Sequence, residues 1–276
     1  MLEGYKCLFV RDGERFLPTP LARGPWTPHA THGGPPAALM GRAIELFDEA
    51  APPGDDRQSF RPTAPMFVSR ITLELLRPVP LVPLELRVRC VRPGRKVQLI
   101  EASLHTDKHE VARAVGLRIR KQDIPLPDDL PIQPIVELPP EHGMPVKSLA
   151  SAHEGFHTHG VEHSVVRGDL SKPGPATDWI RLRVPILEGE AVSPLERVCA
   201  AADFGNGVSQ ILPGAYTFIN PDLTIYLHRY PVGEWVCLDS VTRVEAHGVG
   251  VAESRLLDRA GAIGRSLQSL IVEERV

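Results

Sequence analysis

The sequence predicts an α+β protein in which one unit, a short apolar helix enclosed by a curved antiparallel sheet, occurs twice. Three observations support this prediction. The two halves of the chain repeat each other, each half contains one strongly apolar helix, and each half ends in long strand-like runs. The 276 residues, of which 42% are hydrophobic, suffice for one large domain or two smaller ones.

Each half is predicted to run from strand to helix and then to several strands. The first half is predicted to have a strand near 5–10, a helix over 36–50 and strand-like runs at 67–77, 84–92 and 96–120. The second half is predicted to have strands near 160–167 and 178–187, a helix over 194–204 and strand-like runs at 216–229, 234–245 and 247–273. Turns are expected near Asp107 and at 258–261.

Both predicted helices are apolar around most of their circumference. Met40, Ala43, Ile44 and Phe47 recur at helical spacing, and Leu195, Val198, Cys199 and Ala202 repeat that spacing in the second half. Small residues fill most of the remaining positions. A helix of this kind is expected to be surrounded by other elements.

A proline-rich stretch separates the halves. Residues 124–145 contain so many prolines that a helix is excluded, because each proline removes a donor and fixes φ. The predicted organisation is therefore an N-terminal unit over 1–123, a linker over 124–150 and a C-terminal unit over 151–276.

A shift of 152 residues superposes much of the first half on the second without a gap. The matched pairs include Thr72 with Thr224, Val97 with Val249, Glu101 with Glu253, Arg113 with Arg265, and Ile119 with Ile271. Turn positions and the phase of apolar residues agree as well. The period is too long for a solenoid, so the sequence predicts a tandem duplication of one fold.

Composition limits the function classes. The net charge of −3 and the pI of 6.4 give no bias toward nucleic acid or membranes, and the cations are spread along the chain. Four well-separated cysteines without a CxxC motif predict buried thiols in a reducing compartment. With no signal-like or membrane-length apolar run, a cytoplasmic protein is expected.

Six stretches of the chain, taken in order, resemble one protein family. From Trp26 onward they read HGGPPAALMGRAIE, WIRLR, ERVCAAADFGNG, LTIYLHR, GEWVCLDS and SRLLDRAGAIGRSLQ. In this order they are similar to the double-hotdog acyl-CoA thioesterases related to bacterial acyl-CoA thioesterase II, over nearly the whole chain except the linker. The resemblance implies a tandem (double) hotdog, with two central helices each wrapped by a curved antiparallel sheet. It also implies that an activated water hydrolyses an acyl-CoA thioester.

The resemblance implies a water-holding set of an Asp, a Gln and a Thr. Asp203 in AADFGNG matches the Asp, and Gln268 in GRSLQSL matches the Gln. A gapless alignment places Asn220 at the Thr position, while Thr224 lies two pleats on, on the same face of the predicted strand, so one of these two is expected to assist. Because the repeat counterpart of Gln268 is Gly116, one active site per chain is expected.

The residues themselves favour the same chemistry at Asp203. It follows three alanines at the end of an apolar helix, so partial enclosure is expected. An enclosed carboxylate can have a raised pKa and act as a general base on water. A plain turn residue that opens the sequence DFGNG is the alternative.

The stretch THGGPPAALMGRAIELF is a second candidate part of the site. Pro35 and Pro36 remove two N–H donors from the helix start, which argues against a phosphate-binding loop. His32, Gly33 and Gly34 are instead expected to line the substrate pocket, with the Gly34 N–H facing the thioester carbonyl.

The remaining polar candidates are assigned lesser roles. Asn206, just after the second helix, is expected to line the pocket rather than to act in catalysis. His157 and His159 are predicted to share one strand face, but without Cys or Asp ligands nearby they do not indicate a metal site. Neither a metal nor a cofactor is expected, since CoA enters as part of the substrate. A homodimer is an open possibility.

Two other functions stay open. A hotdog protein that binds acyl-CoA without chemistry, or serves as a scaffold, would explain the missing threonine. An enoyl-CoA hydratase is less favoured, because that chemistry pairs an Asp with a His in one loop–helix segment, and no His follows Asp203 closely.

Overall fold

The computed structural model describes residue 2 and residues 4–48, 64–130, 137–146, 153–212 and 214–274. Three α-helices lie within these residues: α1 (Gly34–Leu46), α2 (Pro194–Ala202) and the single turn α3 (Gly205–Val208). Helix α2 begins at a capping box, in which Ser193 and Glu196 each satisfy the other's backbone N–H. Prolines in the first turns of α1 and α2 suit positions whose N–H groups lack helical partners.

The described strands alternate in exposure as half-buried strands do. They are β1 (Phe9–Asp12), β2 (Arg15–Pro18), β3 (Met66–Glu74), β4 (Leu84–Arg92), β5 (Val97–His105), β6 (Glu110–Arg120), β7 (Met144–Pro145), β8 (Val161–Arg167), β9 (Ala176–Leu182), β10 (Tyr216–Ile219), β11 (Asp222–Leu227), β12 (Trp235–Glu245), β13 (Val249–Asp258) and β14 (Gly261–Glu274).

The 14 strands form one sheet among the described residues. The strand order is β1-β2-β4-β5-β6-β3-β11-β14-β13-β12-β9-β8-β7, and β10 pairs with β14 off this path. The pairings are antiparallel. The fold is therefore a large antiparallel sheet with few helices.

The two halves meet at the pairing of β3 with β11. Thr72 lies opposite Thr224, the residue that the 152-residue shift matches to it. Within each half the register is also the same: Val97 faces Ile119, and Val249 faces Ile271. The strand register therefore recurs in both halves at the 152-residue shift, and the sheet has an approximate twofold symmetry about this seam.

Helices α1 and α2 pack against each other through small residues. A Cβ at Gly41 would lie 2.8 Å from Cys199 Sγ, and one at Gly34 would lie 2.5 Å from the Ala200 carbonyl oxygen. Leu39, Met40 and Ile44 are completely buried, and each such side chain contributes about 1.5–3 kcal/mol by leaving water. The core thus lies between the inner sheet face and the two helices.

Several elements differ from the sequence prediction. The predicted 36–50 helix begins earlier, at Gly34, and ends at Leu46; residues 49 and 50 lie outside the described part. The strand predicted over 216–229 is two strands, because Pro221 cannot donate to a sheet ladder and separates them. The strand Arg15–Pro18 was missed.

The predicted linker contains short regular elements within its described residues. Pro140–His142 forms a 3₁₀ turn, and β7 pairs with Ser164 and Val165 at the sheet edge. Residues 131–136 and 147–150 of this stretch lie outside the description. In the described part of the chain, no helix is long and apolar enough to cross a membrane.

Candidate active site

A cavity of about 1370 Å³ opens between the two halves. Its lining is mainly apolar, with a few polar side chains that converge at one region, as in many small-molecule sites. Both halves contribute: the first supplies the segment before α1 and the residues after β3, and the second supplies the end of α2 and the stretch from β10 to Pro221.

Asp203 is the centre of a polar cluster on the cavity wall. Its carboxylate is 4% exposed, and three side chains from different elements surround it. His32 Nδ1 lies 2.8 Å from Oδ2, Asn220 Nδ2 donates to Oδ1 at 2.9 Å, and Gln268 Nε2 donates to Oδ1 at 3.3 Å. These four residues are called the Asp203 cluster below.

Helix geometry explains how a buried carboxylate is tolerated here. Asp203 is the C-cap of α2, where the helix dipole disfavours a negative charge. The start of α1 lies directly against it, since a Cβ at Gly33 would meet the two carboxylate oxygens at 2.7 and 2.8 Å. The positive end of α1 therefore offsets the negative end of α2, and only glycine fits at position 33 without displacing the carboxylate.

His32 Nδ1 faces two partners that require opposite states of this nitrogen. The Gly34 N–H donates to it at 3.1 Å, which needs a lone pair, whereas the Asp203 carboxylate 2.8 Å away accepts from an N–H. Only one contact can be a hydrogen bond at a time. The tautomer that pairs with ionised Asp203 leaves Nε2 with the lone pair and releases the Gly34 N–H.

Gln268 uses both ends of its amide within the protein. Nε2 donates to the main-chain and side-chain oxygens of Asp203, and Oε1 accepts the Asn206 N–H at 3.1 Å. The side chain is 1% exposed and is not part of the cavity lining. Gln268 thus holds the Asp203 carboxylate by hydrogen bonds from the side away from the cavity.

The structure brings most, but not all, of the predicted site residues together. Asp203, Asn220, His32, Gly33 and Asn206 line the cavity.

Thr224 and Gly34 do not line it. Thr224 lies on the sheet face opposite Leu223 and Ile225, which are 0% and 1% exposed, so it points away from the interior. Pro221 ends the alternation that would have put Asn220 and Thr224 on one face. The Gly34 N–H is directed at His32 instead of the cavity.

Two histidines that the sequence did not assign to the site also line the cavity. His157 lies in a five-residue π-helical turn, Phe156–Gly160, so its predicted place on a strand face with His159 is wrong. Its ring is 5% exposed and stacks on that of His32, with centroids 6.5 Å apart. His163 on β8 turns Nδ1 to the buried Asp178 carboxylate at 2.6 Å.

Burial keeps His157 uncharged. Desolvation, with smaller contributions from His32 and His163, lowers the pKa of His157 from 6.5 to about 3. The imidazole is therefore neutral at physiological pH, with one nitrogen as donor and the other as acceptor. The four histidines between His153 and His163 were the available signal in the sequence, but their relation to the cavity depends on the π-helical turn.

Family comparisons match both halves of the chain. The model of the acyl-CoA thioesterase C-terminal domain matches residues 127–272, and that of the acyl-CoA thioesterase N-terminal domain matches residues 22–119. A search among curated proteins found no significant match.

Solved structures share the fold at low sequence identity. A protein from Thermobifida fusca described as a thioesterase II is 17% identical, with a TM-score of 0.70 over 96% of this chain and 95% of its own. A hotdog-fold protein of unknown function from Alicyclobacillus acidocaldarius is 15% identical, with a TM-score of 0.68 over 97% and 96%. An acyl-CoA thioesterase II from Mycobacterium marinum is 15% identical, with a TM-score of 0.61 over 96% and 94%. The chain therefore has a hotdog fold.

Proposed function

Because the chain belongs to the acyl-CoA thioesterase family, we propose that it hydrolyses acyl-CoA thioesters to a free acid and CoA. The observation that carries the proposal is the buried Asp203 carboxylate on the wall of a large and mainly apolar cavity. It accepts from Asn220 and Gln268 and lies 2.8 Å from His32 Nδ1. Such a cavity suits an acyl chain, and a fixed carboxylate suits the activation of water.

We further propose that the chain is a double hotdog. In this arrangement α1 and α2 are the two central helices, and each half of the sheet wraps its own helix. The identical registers of the two halves and the packing of α1 on α2 support it. The proposed units remain 1–123 and 151–276, with 124–150 between them.

The attacking water would bind Asp203 Oδ2. An ionised carboxylate offers about four acceptor positions. Asn220 and Gln268 occupy those of Oδ1, and His32 occupies one of Oδ2, so one position at Oδ2 is left beside the cavity. A water there donates to the carboxylate and keeps a lone pair for the thioester carbon.

The reaction then needs only proton transfers and one acyl transfer. The water oxygen bonds to the carbonyl carbon as its proton passes to Asp203. The resulting tetrahedral intermediate breaks the carbon–sulfur bond, the acid forms, and the CoA sulfur takes up the proton from Asp203. No metal or cofactor enters these steps.

The start of α1 is suited to the charge that develops on the carbonyl oxygen. Gly33 lines the cavity next to Asp203, at the positive end of the α1 dipole. The Gly34 N–H is directed at His32 and does not face the cavity, so it is given no part in this step. The proposed stabilisation comes from the helix start as a whole.

The direct test is thiol release from a panel of acyl-CoA esters by wild-type protein and by Asp203→Asn. We expect turnover by the wild type and a decrease of about 10²–10⁴-fold in kcat/KM for the variant. Asp107→Asn, in an exposed turn of the first half, is the matched control and should keep wild-type turnover. Undiminished thiol release by Asp203→Asn would refute the mechanism.

A second candidate function has a specific observation in its favour. The Asp–His pair that is absent from the segment after Asp203 is formed across the halves by His32. Such a pair could add water to the double bond of an enoyl-CoA. Loss of the enoyl thioester absorbance without thiol release would favour this function, and acyl-CoA binding without either reaction would favour a binding protein.

A further inference from the structure

The Nδ1 atom of His32 lies at a junction between the two halves of the molecule. It is 2.8 Å from Asp203 Oδ2, at the end of α2, and 3.1 Å from the N–H of Gly34, the first residue of α1. The first contact needs a protonated nitrogen, and the second needs a lone pair. The position of one proton on His32 therefore decides whether the ring bonds to the carboxylate or caps the helix start.

The charge of Asp203 decides between the two contacts. A hydrogen bond from an imidazole N–H to an ionised carboxylate is charge-assisted, so it is shorter and about twice as strong as one between neutral groups. The Gly34 N–H offers a neutral contact, and the longer of the two. With Asp203 ionised, His32 therefore carries its proton on Nδ1.

The ring of His32 is fixed by contacts that do not depend on this proton. Its centroid lies 4.5 Å from that of Phe204, 5.3 Å from that of Phe156 and 6.5 Å from that of His157. The His32 N–H donates to the Ala22 carbonyl at 2.9 Å, which anchors the backbone. The ring is therefore preorganised, and either tautomer can form without a movement of the side chain.

Asp203 in turn depends on His32 for the orientation of one oxygen. Asn220 and Gln268 both donate to Oδ1, whereas His32 is the single side chain among the described residues that contacts Oδ2. A Cβ at Gly33 would lie 2.7 Å from Oδ2, so the positive start of α1 is close enough to attract this oxygen. The Nδ1–H donor fixes Oδ2 and leaves one acceptor position for the water.

We propose that His32 is a positioning residue for Asp203, and that the ionised carboxylate selects the Nδ1–H tautomer of His32 over the tautomer that caps α1. This proposal rests on the proposed function, because the carboxylate that His32 positions is the one that activates water. His32 takes up no proton from the water and gives none to the CoA sulfur. It acts on the carboxylate, where the sequence predicted a role in substrate binding.

NMR of protein with isotope-labelled histidine rings tests the tautomer with or without catalysis. In the wild type at neutral pH we expect His32 to be protonated on Nδ1 and unprotonated on Nε2, with its signals identified by their absence from His32→Asn. In Asp203→Ala the Gly34 N–H becomes the remaining partner, and we expect the proton to move to Nε2. His159, whose Nδ1 lies 2.8 Å from Thr158 Oγ1, is the internal control and should keep one tautomer in both proteins.

Two amides of different length separate the roles of the two ring nitrogens in the thiol-release assay. In His32→Asn the amide nitrogen occupies about the position of Nδ1 and can still donate to Asp203, whereas in His32→Gln it reaches about that of Nε2. Loss of a hydrogen bond to a charged group should lower kcat of His32→Gln roughly 10–100-fold, and kcat of His32→Asn should exceed that of His32→Gln about tenfold. KM should change little in either variant, since the lost contact is with Asp203.

The outcomes separate this proposal from the proposed function. A proton on Nε2 of His32 in the wild type, or the same His32 tautomer in the wild type and Asp203→Ala, would overturn the proposal whether or not thioesters are hydrolysed. Equal kcat values in the two amide variants, a greater loss in His32→Asn, or a rise in KM alone would also overturn it and would leave the thioesterase intact. If the wild type hydrolyses no ester, the proposed function fails, and the NMR comparison decides whether Asp203 selects the tautomer of His32.

Discussion

Gly116 and Gln268 occupy equivalent positions in the two halves, yet their surroundings are opposite. Gly116 on β6 faces Ile100 of β5, and a Cβ there would lie 2.3 Å from Ile44 Cγ2 of α1. Gln268 on β14 faces Ala252 of β13 and reaches the Asp203 carboxylate.

In the first half, Ile44 of α1 occupies the space beside this backbone position. In the second half, the Gln268 side chain occupies it and supports the Asp203 carboxylate. The repeat conserves the register of the strands but not the chemistry between helix and sheet. The first half has apolar core at this position, and the second half has room for an amide. We therefore expect the activity of the site to depend on Gln268 and the packing of the core to depend on Gly116.

The largest effect is expected from the removal of the Gln268 amide. Gln268→Ala would take one donor from Asp203 and leave the Asn206 N–H unpaired. Loss of a hydrogen bond to a charged group is worth about 1.5–3 kcal/mol, so kcat/KM should fall roughly 10–100-fold. Thiol-release assays measure this.

Thr224→Val is the control for that prediction. Thr224 lies on the outer face of the sheet, and its loss should change kcat/KM less than about twofold. A large loss of kcat/KM in Thr224→Val together with a small loss in Gln268→Ala would contradict these assignments. It would favour Thr224 over Asn220 as the residue that assists Asp203.

A smaller effect is expected at the equivalent glycine. In Gly116→Ala the new methyl group would overlap Ile44, so we expect the free energy of unfolding to fall by about 1–3 kcal/mol. Urea denaturation measures the change, and kcat of the folded fraction should stay near the wild-type value. A variant as stable as the wild type would show that α1 does not press on β6 as described.

An effect that does not reach the site chemistry concerns pH, through the buried histidine of the second half. His157 has a pKa of about 3 in the folded protein and 6.5 as its ordinary value, so the unfolded chain binds more protons between these limits. Its contribution to stability is present above pH 6.5 and is lost as the pH falls. Between pH 7 and pH 5 the loss is about 2 kcal/mol.

Denaturant titrations at both pH values, with wild type and His157→Phe, test this contribution. The variant should lose stability between pH 7 and pH 5 by about 2 kcal/mol less than the wild type does. An identical pH dependence in the two proteins would show that the ring is more accessible than its burial indicates.

The sequence predicted the fold better than the site, for physical reasons. Strand alternation and the repeat gave the order of the main strands and the match of Thr72 with Thr224, because both depend on local side-chain periodicity. The short strand β2 and the break at Pro221 were missed, since few residues there carry a periodic signal.

Side-chain periodicity predicts local structure and does not predict contacts between the two halves. Asp203 and Gln268 were predicted through resemblance, but nothing local to His32 indicates that it meets Asp203. The place of His157 in the cavity depends on a π-helical turn that has no simple sequence period. The face of Thr224 was predicted wrongly because the strand was taken as continuous.

The seam between β3 and β11 has a consequence for how this molecule can change. In a dimer of two identical chains, any substitution appears twice, once on each side of the symmetry axis. Here one polypeptide supplies both sides, so a mutation at Gly116 leaves Gln268 untouched. Since both sides of the Thr72–Thr224 pairing belong to one chain, each half can mutate alone, and a single asymmetric pocket is the form of binding site that this freedom permits.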